Sequence, residues 1–170
     1  MGWIVDVLLC FVALALQATL VPHVRIASIG PDLPLLATVL LAYARGATVG
    51  TSAGFLIGLA QDLTNPAYLG LNALCKALLG YTAGAVREQI DAGSTLVHGA
   101  VLFVAVLAHD LVYLTVFTRG ALSELLPSLL TRSLPTALYT ALIGMWLFTA
   151  LASVSRRGVR SFGPSRLARR

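Results

Sequence analysis

Gly46-Ala47-Thr48-Val49-Gly50-Thr51-Ser52-Ala53-Gly54-Phe55-Leu56-Ile57-Gly58-Leu59-Ala60-Gln61-Asp62 decides how this chain folds. Gly46, Gly50, Gly54 and Gly58 recur at intervals of four, and Asp62 takes the next place in the series. Residues four apart share one face of an α-helix, so these glycines form a smooth groove along it. The following apolar segment carries a matching series at the same interval: Asn72, Lys76, Gly80, Gly84 and Glu88. Small residues at this spacing let helix backbones approach closely in lipid, where packing drives association. The two helices are consecutive and therefore antiparallel, so they are expected to pack through their glycines. That arrangement puts Asp62 near the level of Asn72 and Lys76, and an Asp62–Lys76 ion pair is expected. Arg45 and Glu88 are expected to pair at the opposite end. An unpaired lysine inside a bilayer costs several kcal/mol, so Lys76 needs a partner or access to water. The pattern suits plain tight packing first, and a transport or partner-docking role of the same groups is the alternative.

Outward from this hairpin the chain stays apolar. Apolar residues make up 58% of the 170 positions, charged residues 11%, and mean hydropathy is +0.86. A soluble domain carries roughly a quarter charged residues to cover its surface. About six spans of ~20 residues would use nearly the whole chain, leaving no room for a soluble catalytic domain. The reading is an all-α integral membrane protein with spans near 3–21, 32–45, 47–63, 69–86, 95–117 and 134–152. Asp32 can cap the second span, with Pro34 in its first turn. Residues 120–131, with Arg119, Glu124, Pro127 and Arg132 among or beside leucines, read as a short interfacial or re-entrant helix. The first apolar run lacks a basic leader and a clear cleavage site, so it reads as a retained span.

The net charge of +5 is unevenly placed. Arg156, Arg157, Arg160, Arg166, Arg169 and Arg170 crowd residues 156–170. A polybasic stretch just after an apolar span marks a cytoplasmic end facing anionic lipid, so nucleic acid is not expected as a partner. With both termini inside, Arg45, Arg87 and the tail are cytoplasmic, against Arg25, Arg119 and Arg132 outside. The positive-inside bias therefore favours cytoplasmic termini.

Little in the sequence promises chemistry. Phosphate-loop, zinc-protease, C-x-x-C and nucleophile-elbow motifs are absent. Cys10 and Cys75 lie inside apolar runs and read as small hydrophobes. His109-Asp110 interrupts the fifth span, with Asp110 ~23 Å from its start and near the depth of Asp62 and Lys76. One His–Asp pair is too few for a metal site. Asp110 can serve in a polar cluster or as a protonated group bonded to a neighbouring helix. His98 and Gln17 read as satisfied interhelical groups. Neither an enzyme nor a cofactor is expected.

Several segments in order carry a family resemblance. They are Pro31-Asp32-Leu33, the Gly50-to-Asp62 run, Leu69-Gly70-Leu71-Asn72-Ala73-Leu74, Gly80-Tyr81 with Gly84, and Leu134-Pro135-Thr136-Ala137-Leu138-Tyr139-Thr140-Ala141-Leu142. Together they resemble the MreD family of bacterial rod shape-determining membrane proteins. The resemblance implies a non-enzymatic inner-membrane scaffold of the cell-elongation machinery. It implies pairing with an MreC-like single-span periplasmic protein, contact with RodA and a class B penicillin-binding protein, and an indirect link to MreB filaments. Members of that family are similar in fold to the six-helix substrate-binding subunits of energy-coupling-factor vitamin transporters, and that supplies the alternative function. Those subunits usually carry an alanine stripe on the first span. Here Ala13 is followed four later by Gln17, and Ala15 by Thr19. The short segment from His23 to Gly30 also offers few groups for a vitamin.

Overall fold

A computed structural model describes residues 2–25, 29–64, 66–89 and 94–160, with side chains through residue 150. Eight α-helices follow one another: α1 (Gly2–Thr19), α2 (Val21–Val24), α3 (Leu33–Arg45), α4 (Ala47–Asp62), α5 (Leu71–Val86), α6 (Thr95–Phe117), α7 (Leu122–Ser128) and α8 (Leu134–Arg160). No strand occurs among the described residues. Gly2–Thr19, Thr95–Phe117 and Leu122–Ala150 are each long and apolar enough to cross a membrane, and α3 is a shorter apolar helix. Leucines, valines and aromatics stand exposed on most helices, as a lipid-facing surface requires. The chain is a membrane protein.

The centre of the bundle is α3. Eight of its thirteen residues are buried, Pro34 to Val39 together with Leu41 and Ala42. Leu35, Leu36, Val39 and Ala42 form the core with Ala83 of α5, Leu102, Ala105 and Val106 of α6, and Ala137 and Ala141 of α8. Against one side of α3 lies the hairpin of α4 and α5, the most extensive helix–helix contact in the molecule. Gly46 ends α3 and begins α4 with φ at 95°, a backbone conformation open to glycine at little cost. From there the two glycine series face each other backbone to backbone. A methyl group on Gly54 would strike the Lys76 carbonyl, one on Gly58 the Asn72 carbonyl, and one on Gly80 the Gly50 carbonyl. Gly84 meets the backbone of Ala47 in the same way.

A second pair, α6 and α8, uses glycines that the sequence pattern did not single out. Gly99 of α6 receives Met145, and Gly144 of α8 receives Leu102. By contrast α1 lies at the edge. Ala13 is its one buried residue and packs with Ala37 and Ile57.

Residues 120–131, expected as a short interfacial or re-entrant helix, contain α7. A π turn, Leu129–Ser133, joins α7 to α8 without a break. In it the Leu134 N–H bonds the Leu129 carbonyl, five residues back. Pro135 explains the widening, since it has no N–H for Thr131 and its ring crowds that carbonyl. The last helix also runs on to Arg160, past 152 and into the arginine-rich segment. The rest of that segment, 161–170, lies outside the described residues, as does Asn65 in the turn between α4 and α5.

Candidate functional site

Polar groups gather where α3 and α5 begin and where α4 and α6 end. The start of α3 leaves N–H groups without helical partners. Asp32 caps it, its Oδ1 accepting from Leu35 N at 2.9 Å. Gln17 of α1 reaches across to accept from Leu33 N at 3.0 Å. The Asp32 N–H donates to the Thr140 hydroxyl of α8 at 2.9 Å. Two other helices, α1 and α8, are thus tied to the start of α3.

Asp62 does the same for α5. It is 1% exposed. Its oxygens accept from Gly70 N (2.9 Å), Asn72 N (3.2 Å), Ala73 N (3.1 Å) and the Asn72 Nδ2 amide (2.9 Å). A carboxylate here satisfies orphan donors and faces the positive end of the helix dipole. The expected Asp62–Lys76 pair is therefore a misreading of register. Lys76 lies beside Gly54, and Asp62 is eight residues further along α4, ~12 Å away. Lys76 also presents its backbone to α4, so its side chain leaves in another direction.

That side chain runs to α3 and α6. Lys76, 1% exposed, puts Nζ 3.4 Å from Asp32 Oδ2 and 3.1 Å from His109 Nε2. His109 Nδ1 lies 3.1 Å from Asp110 Oδ1, and its Nε2 lies 3.0 Å from Asn72 Oδ1. Asp32, Lys76, His109 and Asp110 form one chain of contacts, and Asn72 joins it to Asp62. Lysine can only donate and the Asn72 oxygen can only accept, so they make opposite demands on Nε2. A neutral ring accepting from Lys76 and donating Nδ1–H to Asp110 satisfies the two charged neighbours.

The opposite end of the bundle also differs from expectation. Arg45 pairs with Asp6 of α1 at 3.2 Å and donates to the Gly2 carbonyl at 3.3 Å. Glu88 is 86% exposed beside Arg87 at 3.9 Å. The end of α5 brings Arg87 against Gly46 while Glu88 stands exposed, so Asp6 of α1 takes the Arg45 guanidinium.

Among the sequence-selected residues, the structure brings Asp32, Asn72, Lys76 and Asp110 together, with Asp62 adjoining through Asn72. Gly46, Gly50, Gly54, Gly58, Gly80 and Gly84 form the hairpin seam and not the polar site. His109 is the residue whose importance the sequence understated: it touches Lys76, Asn72 and Asp110. Its ring also begins a ladder on α6, His109, Tyr113 and Phe117, with near-parallel neighbours 6.2 and 6.3 Å apart. Their spacing of four was the available signal. This polar chain borders a cavity of about 420 Å³, walled on one side by Tyr113 and Phe117. No group of three His, Cys, Asp or Glu suited to a metal occurs among the described residues.

The model of the family of rod shape-determining protein MreD matches residues 1–156. The chain belongs to the MreD family. It therefore has a part in determining rod shape, and its apolar bundle is the membrane-embedded form in which that part is played. No curated protein and no solved structure matches the chain.

Proposed function

We propose that this chain is a non-enzymatic scaffold of the bacterial cell-elongation machinery. It crosses the cytoplasmic membrane six times, with α1, α3, α4, α5, α6 and the α7–α8 rod as spans and both ends in the cytoplasm. The family match carries the reading. The six-span topology is supported by the alternation of the arginines. Arg87 lies against Gly46 and so beside Arg45, while Arg25 and Arg132 border one cavity at the other end. The larger group, with the tail, is the one a positive-inside orientation keeps in the cytoplasm.

The proposed partner is an MreC-like protein with one span and a periplasmic region. Through it the scaffold would meet RodA and a class B penicillin-binding protein, and indirectly MreB filaments. The edge helix α1 is the proposed seat for that span. Trp3, Val7 and Phe11 recur at intervals of four and are 70%, 55% and 68% exposed. The arginine tail would hold anionic lipid.

The test is photo-crosslinking in native membranes from single positions, Phe11 on α1 and Trp146 on α8, followed by mass spectrometry. A single-span coiled-coil protein joined to Phe11 and not to Trp146, with elongation synthases in lower yield, supports the scaffold. Recovery of paired ATPases and a coupling membrane subunit overturns it in favour of a vitamin-capture subunit.

A further inference from the structure

Two buried polar atoms beside the charged chain have no hydrogen-bond partner, Oε1 of Gln61 and Oγ of Ser133. Ser133 is 1% exposed, so bulk water does not serve it. Native proteins leave few such atoms, and each calls for an explanation. Both residues line the 420 Å³ cavity. An adjoining cavity of about 180 Å³ shares Asp32, Gln61, Asp110 and Arg132 with it and adds Arg25. Arg25 and Arg132 are exposed, and neither has a hydrogen-bond or ion-pair partner among the described residues. The combined space is of the size that takes small ligands.

The lining is divided by chemistry. Arg25, Arg132 and the Ser133 hydroxyl are donors, and guanidinium pairs suit phosphate oxygens. Gln61 Oε1 is an acceptor that needs an N–H or O–H from elsewhere, and Asp110, whose Oδ1 already meets His109, keeps its second oxygen as a further acceptor. Tyr113 and Phe117 form an apolar wall, and Phe117 is 51% exposed, so this wall continues onto the lipid-facing surface. We propose that the cavity binds a phosphate-bearing head group that also carries N–H or O–H donors. The phosphate sits between Arg25 and Arg132, the donors turn to Asp110 and Gln61, and any acyl chain leaves over Phe117. The π turn builds the site, since it sets Ser133 inward and Arg132 at the mouth on adjacent residues.

Native mass spectrometry tests this on the full chain in mild detergent. The protein is offered equal amounts of phosphatidylethanolamine, phosphatidylglycerol and phosphatidylcholine with the same acyl chains. The first two carry donors and are expected to stay bound. Phosphatidylcholine has the phosphate without donors and is expected about tenfold less bound, the scale of one hydrogen bond to a charged group. Arg25→Gln and Arg132→Gln should each lose binding by a similar factor, with the melting temperature in lipid-free detergent unchanged. Equal retention of all three lipids, or full retention by both variants, overturns the site. Displacement by excess soluble glycerophosphoethanolamine supports the chemistry and assigns it to a free head-group compound. Failure of that compound to displace bound lipid supports it and assigns it to the lipid.

Discussion

At the scale of single residues, the buried lysine is the sharpest case. Removing one partner of a buried pair leaves the other charge uncompensated, at roughly 3 kcal/mol. Lys76→Ala is expected to lose about that much on unfolding in detergent, because Asp32 and His109 lose their common neighbour. Adding Asp32→Asn to Lys76→Ala should cost less than the sum of the single losses, and this coupling should exceed that between Lys76→Ala and Asp62→Ala, which meet only through His109 and Asn72. A coupling of Lys76 to Asp62 stronger than its coupling to Asp32 would reject the observed register. Asp62→Ala itself should cost about 2 kcal/mol, since one buried and three part-buried donors lose their acceptor. Asp32 was legible as a cap because Pro31-Asp32-Leu33-Pro34 opens an apolar run. Asp62 was not, because its cap reaches the next helix across a glycine turn and no local pattern records that reach. His109 was visible as a polar break in an apolar span, but which helices it would face depends on how α6 rotates against α5.

Between helices, the seam of α4 and α5 has no room for a side chain. Gly54→Ala should therefore force the helices apart, at about 2 kcal/mol by the usual scale of overpacking. Gly70→Ala meets no atom within 4 Å and suffers from its φ of 94° alone, about 1 kcal/mol. Thermal unfolding of the two variants should rank Gly54→Ala below Gly70→Ala, and the reverse order would show that the seam is loose. A repeat of four glycines is a strong pattern, and this is why the hairpin could be read from sequence. The packing of α6 on α8 rests on two isolated glycines, Gly99 and Gly144, each filled by a side chain of the other helix, and isolated glycines carry no period. The π turn is a matter of two prolines. The chain absorbs Pro127 inside α7 and widens one turn before Pro135. Pro135→Ala restores the N–H that Thr131 lacks and should return the turn to α geometry, rotating α7 by about 100° relative to α8. With Cys10 and Cys75 replaced, a cysteine at Ser133 should be shielded from a water-soluble maleimide in the parent and reactive in the Pro135→Ala background.

Over the whole molecule, composition made the membrane class and helical architecture legible, because a chain with 11% charged residues cannot cover a soluble surface. Which face meets a partner was not legible, since lipid-facing and partner-facing leucines are chemically alike. The helices also differ in length, and that has a consequence for the bilayer itself. The hairpin helices α4 and α5 have 16 residues each, ~24 Å, against a hydrocarbon layer of ~30 Å. On the other flank α6 has 23 residues, ~35 Å, and the apolar rod from Leu122 to Ala150 has 29, ~44 Å. In the proposed six-span topology, lipid beside the hairpin must thin, and lipid beside α6 and the rod must thicken or see them tilt. Bilayers of shorter-chain lipids should protect the hairpin seam from hydrogen exchange more than longer-chain ones, while the rod shows the opposite trend. A body that thins the membrane on one flank and thickens it on the other draws neighbours of matching span to each side, and so sorts its surroundings without touching them.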